Sequence, residues 1–374
     1  MTEIRGLTGL RGIAALIVFF AHTRETLESR GVSLEVSTLL KRLFLSGGRQ
    51  VDIFFVLSGF ILALIYQSWF GEEVKRSSYV KFLQRRFARI YPLHAFMLIL
   101  TIGVVVAAHL MHSQTVNGLD RFTVASLPAT FLLVHAWGFV GGDGGPWNPP
   151  SWSVSIEALG YLVFPLFIWS TARIAKSAPW ALVGGLAVCG FLVNWMVPWG
   201  LAGTEGIARG LTEFTFGCAT ANLFSSPVST WLQSRIGSLV AAAGLVLCFA
   251  LTPDTGFVIA FFTAPLLLAL SGDNAVSRVL GSGPIYFLGE ISYSIYLGHF
   301  LLSTISYRLI SPVWMQSGPL QTTLGIIGII VFVLSVATLM YHFVERPGRD
   351  LLRGRKKTAP APLAAAAAGD GGGP

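Results

Sequence analysis

Long uninterrupted apolar runs decide most about this chain before any single residue is considered. They fall at roughly 7–23, 50–70, 90–111, 124–140, 152–172, 179–199, 207–224, 237–252, 256–271, 285–310 and 320–344. Most are about 17–25 residues long, enough to cross ~30 Å of hydrocarbon at about 1.5 Å per residue. A water-soluble domain of this size would alternate polar and apolar positions with a helical or strand period. Composition agrees: 53% of residues are hydrophobic and 12% charged, against about 25% charged in a typical soluble domain. Inside a bilayer each segment must satisfy its own backbone hydrogen bonds, so such runs fold as helices. The expected fold is an all-α polytopic membrane protein with no soluble domain and no internal repeat.

Lysine and arginine set the orientation. Loop 71–89 holds Lys75, Arg76, Lys81, Arg85, Arg86 and Arg89, and 173–176 holds Arg173 and Lys176. The C-terminal stretch holds Arg346, Arg349, Arg353, Arg355, Lys356 and Lys357. Short basic segments between spans stay in the cytoplasm, which accounts for the net charge of +8 without a nucleic-acid partner. Three apolar runs separate the first two basic segments, an odd number, so one does not cross. The run 124–140 is short and broken by Pro128, and is expected to be re-entrant or to lie at the surface. The scheme closes with about ten transmembrane helices, N- and C-termini cytoplasmic, and 141–150 outside. Residues 1–350 are expected to form one membrane domain, and 351–374 a basic, then Ala/Gly/Pro-rich, disordered cytoplasmic tail. The first run follows basic residues as in a signal peptide, but without a small-residue cleavage site it reads as a retained helix. Cys189, Cys218 and Cys248 sit inside apolar runs with no ligand spacing, so they read as small hydrophobes and no metal is expected.

An ionisable side chain in the middle of a span costs about 2.5–3.5 kcal/mol on insertion scales and is a candidate for function. Its alternative is a bundle-facing pair that only fixes packing. Arg11 and His22 are separated by ~1100° of helix, about three turns, and so share a face roughly 16 Å apart. Arg11 falls near the cytoplasmic end and His22 in the outer third, as a general base or a packing histidine. Asp52 opens the second helix at the same depth, either to hold an imidazole in one tautomer or to cap the helix. Glu157, after Pro149-Pro150-Ser151-Trp152-Ser153, is expected a turn below the outer surface. Three ionisable groups from three helices would then converge at one level, the pattern of a site. On the inner side Arg86 and Arg89, at i and i+3 with Arg85 beside them, can form a fork for phosphate oxygens or serve only topology. Ser292, Tyr296 and His299 make a polar stripe that lines a cavity or bonds a neighbouring helix. Ser58 and Trp152 are candidate oxyanion donors by depth. Glu345-Arg346-Pro347 reads as an interfacial ion pair ahead of a helix-stopping proline. No nucleophile elbow, Walker loop or His-Glu-x-x-His is present.

Six of these features occur in a fixed order: Gly9-Leu10-Arg11-Gly12 with His22 ten intervening residues later, Val51–Phe60, the Arg86–Arg89 pair, Ser151-Trp152-Ser153 with Glu157, Ile291–His299, and Glu345-Arg346-Pro347. In that order they resemble acyltransferase family 3, the integral-membrane O-acyltransferases of cell-surface glycans and related acceptors, over residues 5 to about 350. The resemblance implies transfer of an acyl group, usually acetyl, from cytoplasmic acyl-CoA. The acceptor would be a hydroxyl of a glycan, glycolipid or small molecule at the outer side of the cell inner membrane. It implies that Arg11, His22, Arg86 and Arg89 are the functional positions. Many relatives add an extracytoplasmic hydrolase-like domain, for which this chain is expected to have no room, leaving that work undone or to a partner. The mechanism expected from both lines has Arg86, Arg89 and Arg85 holding the nucleotide end of acyl-CoA and the pantetheine arm passing Arg11. His22 would be general base, oriented by Asp52 or Glu157; an acyl-histidine intermediate is the open alternative. The rival from another class is a secondary transporter or flippase component of a surface-polysaccharide pathway, which also carries intramembrane charges but favours a midplane site and repeated halves.

Overall fold

The computed structural model describes residues 3–32, 42, 47–110, 122–138, 146–197, 200, 203–251 and 256–354; residues 141–145 of the expected outer loop 141–150, and the tail from 355, lie outside them. Regular structure among these residues is helical throughout. In chain order the helices are α1 (Arg5–Ser29), α2 (Gln50–Phe70), α3 (Arg76–Leu110), α4 (Leu127–Phe131), α5 (Ser151–Ser177), α6 (Pro179–Met196), α7 (Gly203–Thr220) and α8 (Pro227–Leu232). They continue with α9 (Arg235–Leu251), α10 (Gly256–Leu270), α11 (Ala275–Leu280), α12 (Gly283–Glu290), α13 (Ser292–Leu309), α14 (Pro312–Met315), α15 (Pro319–Met340) and α16 (Arg346–Leu352).

Among the described residues, six stretches are long and apolar enough to cross a membrane: Arg5–Ser29, Gly47–Phe70, Arg76–Leu110, Ser151–Ser177, Pro179–Met196 and Pro319–Leu352. This is the architecture of a multi-pass membrane protein. Large apolar side chains on their outer faces, among them Ile99, Trp195 and Val331, are exposed, as lipid-facing positions are. Other expected spans are built differently. Helices α9 and α10 are apolar but only 17 and 15 residues long. Helix α7 carries Glu205, Arg209 and Glu213, which lowers its hydropathy.

Three local expectations are corrected. The basic stretch expected as a loop up to residue 89 is helical from Arg76, because α3 runs 35 residues, roughly 50 Å, and outlasts the hydrocarbon. The run 285–310 is not one helix: it breaks at Ile291 between α12 and α13. Pro347 does not stop the last helix; a π-helical turn, Tyr341–Glu345, is followed by α16 with Pro347 in its first turn, where a missing N–H costs nothing. Segment 124–138 does form no membrane-length helix. It holds a 3₁₀ turn, the five-residue α4 and a left-handed Leu133 (φ 59°).

Small residues bring the site-bearing helices together. A Cβ on Gly59 would lie 1.9 Å from the Phe214 carbonyl oxygen, and one on Gly217 2.0 Å from that of Val56, so α2 and α7 touch backbone to backbone. Gly9 and Gly12 do the same for α1, which lies on the Leu280 carbonyl and on the Leu288–Gly289 backbone. The Gly-Leu-Arg-Gly run is therefore a docking surface that delivers Arg11 to the α12–α13 break. An aromatic cluster fills the core beside α2, with Phe82 stacked on Phe164 at 5.0 Å and edge-on to Phe70.

Candidate active site

The break at Ile291 leaves the Gly289 carbonyl without a full helical partner. Arg11 takes it: its Nη2 donates to Gly289 O and its Nε to Ser292 Oγ, both at 2.9 Å, while Ser292 Oγ donates to Gly289 O at 2.7 Å. The guanidinium thus faces a cavity of about 140 Å³ enclosed by α1, α2, α3, α5 and α13. Arg86 and Arg89 stand at one end of its wall. Arg11, Ser292, Ser58, Glu157 and Tyr161 follow along it, and Ser153, Phe54 and Tyr296 lie at the other end.

Glu157 is anchored in this wall. Its Oε1 accepts from Ser58 Oγ and from Tyr161 Oη, both at 2.7 Å. Ser58 lies six residues, about 9 Å, further along α2 than Asp52. Glu157 therefore sits deeper than Asp52, and the three acid–base groups do not share one level. The Ser58 proton is spent on Glu157, which removes Ser58 as a free oxyanion donor.

Asp52 follows by five residues Gly47, which packs on Ala21 next to His22. Its side chain points elsewhere. Asp52 accepts from Arg209 Nε at 2.7 Å and forms an ion pair with Arg209 Nη2. Glu213, one turn along α7, lies 3.8 Å from the same guanidinium, which also covers the Trp152 ring at 5.5 Å. All three charged groups are nearly inaccessible. Trp152 is accordingly held in this cluster, edge-on to Phe55, and neither it nor Asp52 lines the cavity. Arg209 and Glu213 are functional-looking residues that the sequence analysis passed over, although two charges at i and i+4 inside an apolar run were there to be seen.

His22 is oriented by backbone. Its Nδ1 lies 2.9 Å from the Val18 carbonyl, and His299 Nδ1 lies 2.6 Å from that of Tyr296. A carbonyl only accepts, so both rings carry a proton on Nδ1, which leaves Nε2 as the nitrogen able to accept one. The rings lie 5.1 Å apart between centroids, tilted by 41°, and the buried Nε2 of His299 has no partner among the described residues. His299 is 6.0 Å from the Tyr296 ring, so the histidine pair stands just past the Tyr296 end of the cavity. The Tyr296 hydroxyl bonds Ser153 Oγ at 2.8 Å. Of the expected stripe, Ser292 and Tyr296 line the cavity and His299 meets His22.

At the opposite end, Arg89 forms an ion pair with Glu345, whose other oxygen accepts from Ser294 at 2.9 Å. Glu345 is buried, so this pair ties α3 to the π turn in the interior and not at an exposed interface. Arg86 Nη2 donates to Tyr66 Oη at 3.2 Å, and its Nε is buried with no partner among the described residues. Arg85 lies over the Trp69 ring at 5.2 Å, outside the cavity wall. No group of three or more potential metal ligands occurs among the described residues.

The helices form a multi-pass membrane bundle around a small cavity, with Arg86 and Arg89 at one end and the histidine pair beyond the other. Comparison with known proteins narrows the class. Residues 4–342 match the family model of the acyltransferase domain of acyltransferase family 3, and the chain belongs to that family. This decides for an acyltransferase over a transporter. The chain is 27% identical to acyltransferase MdmB of Streptomyces mycarofaciens, over 97% of its own length and 96% of that protein. It is 28% identical to exopolysaccharide production protein ExoZ of Rhizobium meliloti, over 87% and 96%. It is also 27% identical to putative peptidoglycan O-acetyltransferase YrhL of Bacillus subtilis, over 92% of this chain but 55% of that one; it thus spans about half the length of YrhL. No solved structure matches.

Proposed function

We propose that this chain is a two-sided O-acyltransferase that moves an acyl group, acetyl in the simplest case, from cytoplasmic acyl-CoA to a hydroxyl of a carbohydrate-type acceptor at the outer face of the cytoplasmic membrane. The observation that carries the reading is the cavity, which begins at Arg86 and Arg89 and ends beside the His22–His299 pair. Helices α7, α9, α10 and α13 complete a ten-crossing scheme with both termini inside. YrhL and ExoZ, by their names, support a cell-envelope or exopolysaccharide acceptor.

The residues suit the donor. The unpartnered Arg86 Nε leaves a buried cation donor for phosphate oxygens, and the passage past Arg11 and Glu157 offers a donor and an acceptor to the amides of pantetheine. Tyr296 and Ser153 bound the far end, where the thioester carbon would rest. His22, with its Nε2 lone pair, takes the proton of the acceptor hydroxyl as that oxygen attacks the thioester carbon. The C–O bond forms, the C–S bond breaks, and the proton passes from His22 to the departing CoA thiolate. His299 stabilises the charged form of its neighbour by offering a second lone pair. Asp52 acts through Arg209, fixing the first turn of α2 and Trp152, and not on the imidazole.

The test uses proteoliposomes of one orientation with acetyl-CoA on the Arg86 side and a soluble glucan or chitooligosaccharide on the His22 side. Acylated sugar should appear in that arrangement. Product formed only when donor and acceptor share one side would overturn the two-sided reading.

A further inference from the structure

The end of the chain brings a second pair of arginines to the donor end of the cavity. The π-helical turn Tyr341–Glu345 turns Glu345 inward onto Arg89, and the short helix that follows lies back along α3. Two contacts hold it there. A Cβ on Gly348 would lie 2.5 Å from Pro92 Cβ, and Gln84 Nε2 donates to the Leu352 carbonyl at 3.1 Å. Arg349 and Arg353, at i and i+4, share one face, and Arg353 stands within electrostatic reach of Arg86, Arg349 and Tyr66.

The charges here do not balance. Among the described residues, the four guanidiniums Arg86, Arg89, Arg349 and Arg353 meet two carboxylates within 4.0 Å. Glu345 is committed to Arg89 and Ser294, and Asp350 reaches Arg349 only at 4.0 Å. The Nε atoms of both Arg86 and Arg353 are buried with no partner among the described residues. Burial, with Arg86 and Arg349 alongside, pulls the Arg353 guanidinium down to about 10. Guanidiniums crowd in this way at a cost that an anion between them removes, and planar forks match phosphate oxygens.

We infer that Arg349 and Arg353 complete, with Arg86, a binding site for the phosphate groups at the nucleotide end of acyl-CoA. The inference rests on the acyl-CoA reading above and adds residues from a different part of the chain. Tyr66 holds Arg86 in place, and the docked α16 makes the site dependent on the π turn. The same phosphate chemistry is offered by an anionic lipid headgroup, which the test separates from the nucleotide.

The experiment measures binding of adenosine 3′,5′-bisphosphate by calorimetry, and kcat/KM for acetyl-CoA and for S-acetylpantetheine. The proteins are wild type, Arg353→Gln, Arg349→Gln and Arg353→Lys in phosphatidylcholine nanodiscs. The expected result is bisphosphate binding weakened about tenfold by each Gln variant and partly recovered in Arg353→Lys. The preference for acetyl-CoA over S-acetylpantetheine should fall by the same factor. That ratio cancels any loss of folded enzyme. Unchanged binding and an unchanged ratio would overturn the inference while leaving the transferase reading intact. So would a ratio unchanged in Arg353→Gln together with loss of thermal stabilisation by added phosphatidylglycerol, which would assign the site to lipid. Wild type that neither binds the bisphosphate nor uses either donor would overturn both readings.

Discussion

Two carboxylates within the helix bundle, the buried Asp52 and the half-buried Glu157, look alike in the sequence and differ in the fold. Asp52 is closed in by Arg209, with Glu213 beside the same guanidinium. Glu157 is held by two neutral hydroxyls, Ser58 and Tyr161, and opens onto the cavity. The first arrangement consumes its own charge, and the second keeps a charge available to something that arrives. A mid-membrane carboxylate therefore becomes a functional candidate when its partners leave it capacity, not by burial alone.

The comparison can be broken most severely at Arg209. Arg209→Met removes the cation paired with Asp52 and Glu213 and should cost about 3–5 kcal/mol, a fall in Tm of roughly 4–6 °C in a thermal-unfolding assay. An unchanged Tm with lost activity would move Asp52 into the chemistry. Glu157→Gln keeps an acceptor for both hydroxyls, so Tm should hold while kcat/KM falls about 10–100-fold through the lost charged hydrogen bond. A stability loss matching that of Arg209→Met would erase the distinction. The mildest change is Tyr66→Phe, which keeps the ring and frees Arg86; KM for acyl-CoA should rise roughly threefold at constant kcat.

Much of the helix inventory was legible in hydropathy because lipid imposes a length, and α2 starts and ends where the apolar run does. Hydropathy fails where side chains rewrite the backbone. The Ile291 break depends on Arg11 and Ser292 taking the Gly289 carbonyl, a contact between residues far apart in the chain. The length of α3 was missed because a helix does not end where its apolar residues end. For the site, Arg11, Arg86, Arg89, Ser292 and Tyr296, which shared faces and the arginine spacing had singled out, all line one cavity. The orienter of His22 was not legible, since depth along a helix says nothing about which way a carboxylate turns, and a backbone carbonyl carries no sequence signal. Arg209 was legible and overlooked.

The central claim is a division of labour between the two ends of the cavity, and acyl-CoA binding and turnover by wild type, His22→Ala and Arg86→Ala/Arg89→Ala test it most directly. The account predicts that His22→Ala binds donor and loses about 10²–10⁴ in rate, while the double arginine variant fails to bind at concentrations that saturate wild type. Equal donor binding by all three, or transfer that survives in His22→Ala, would contradict it.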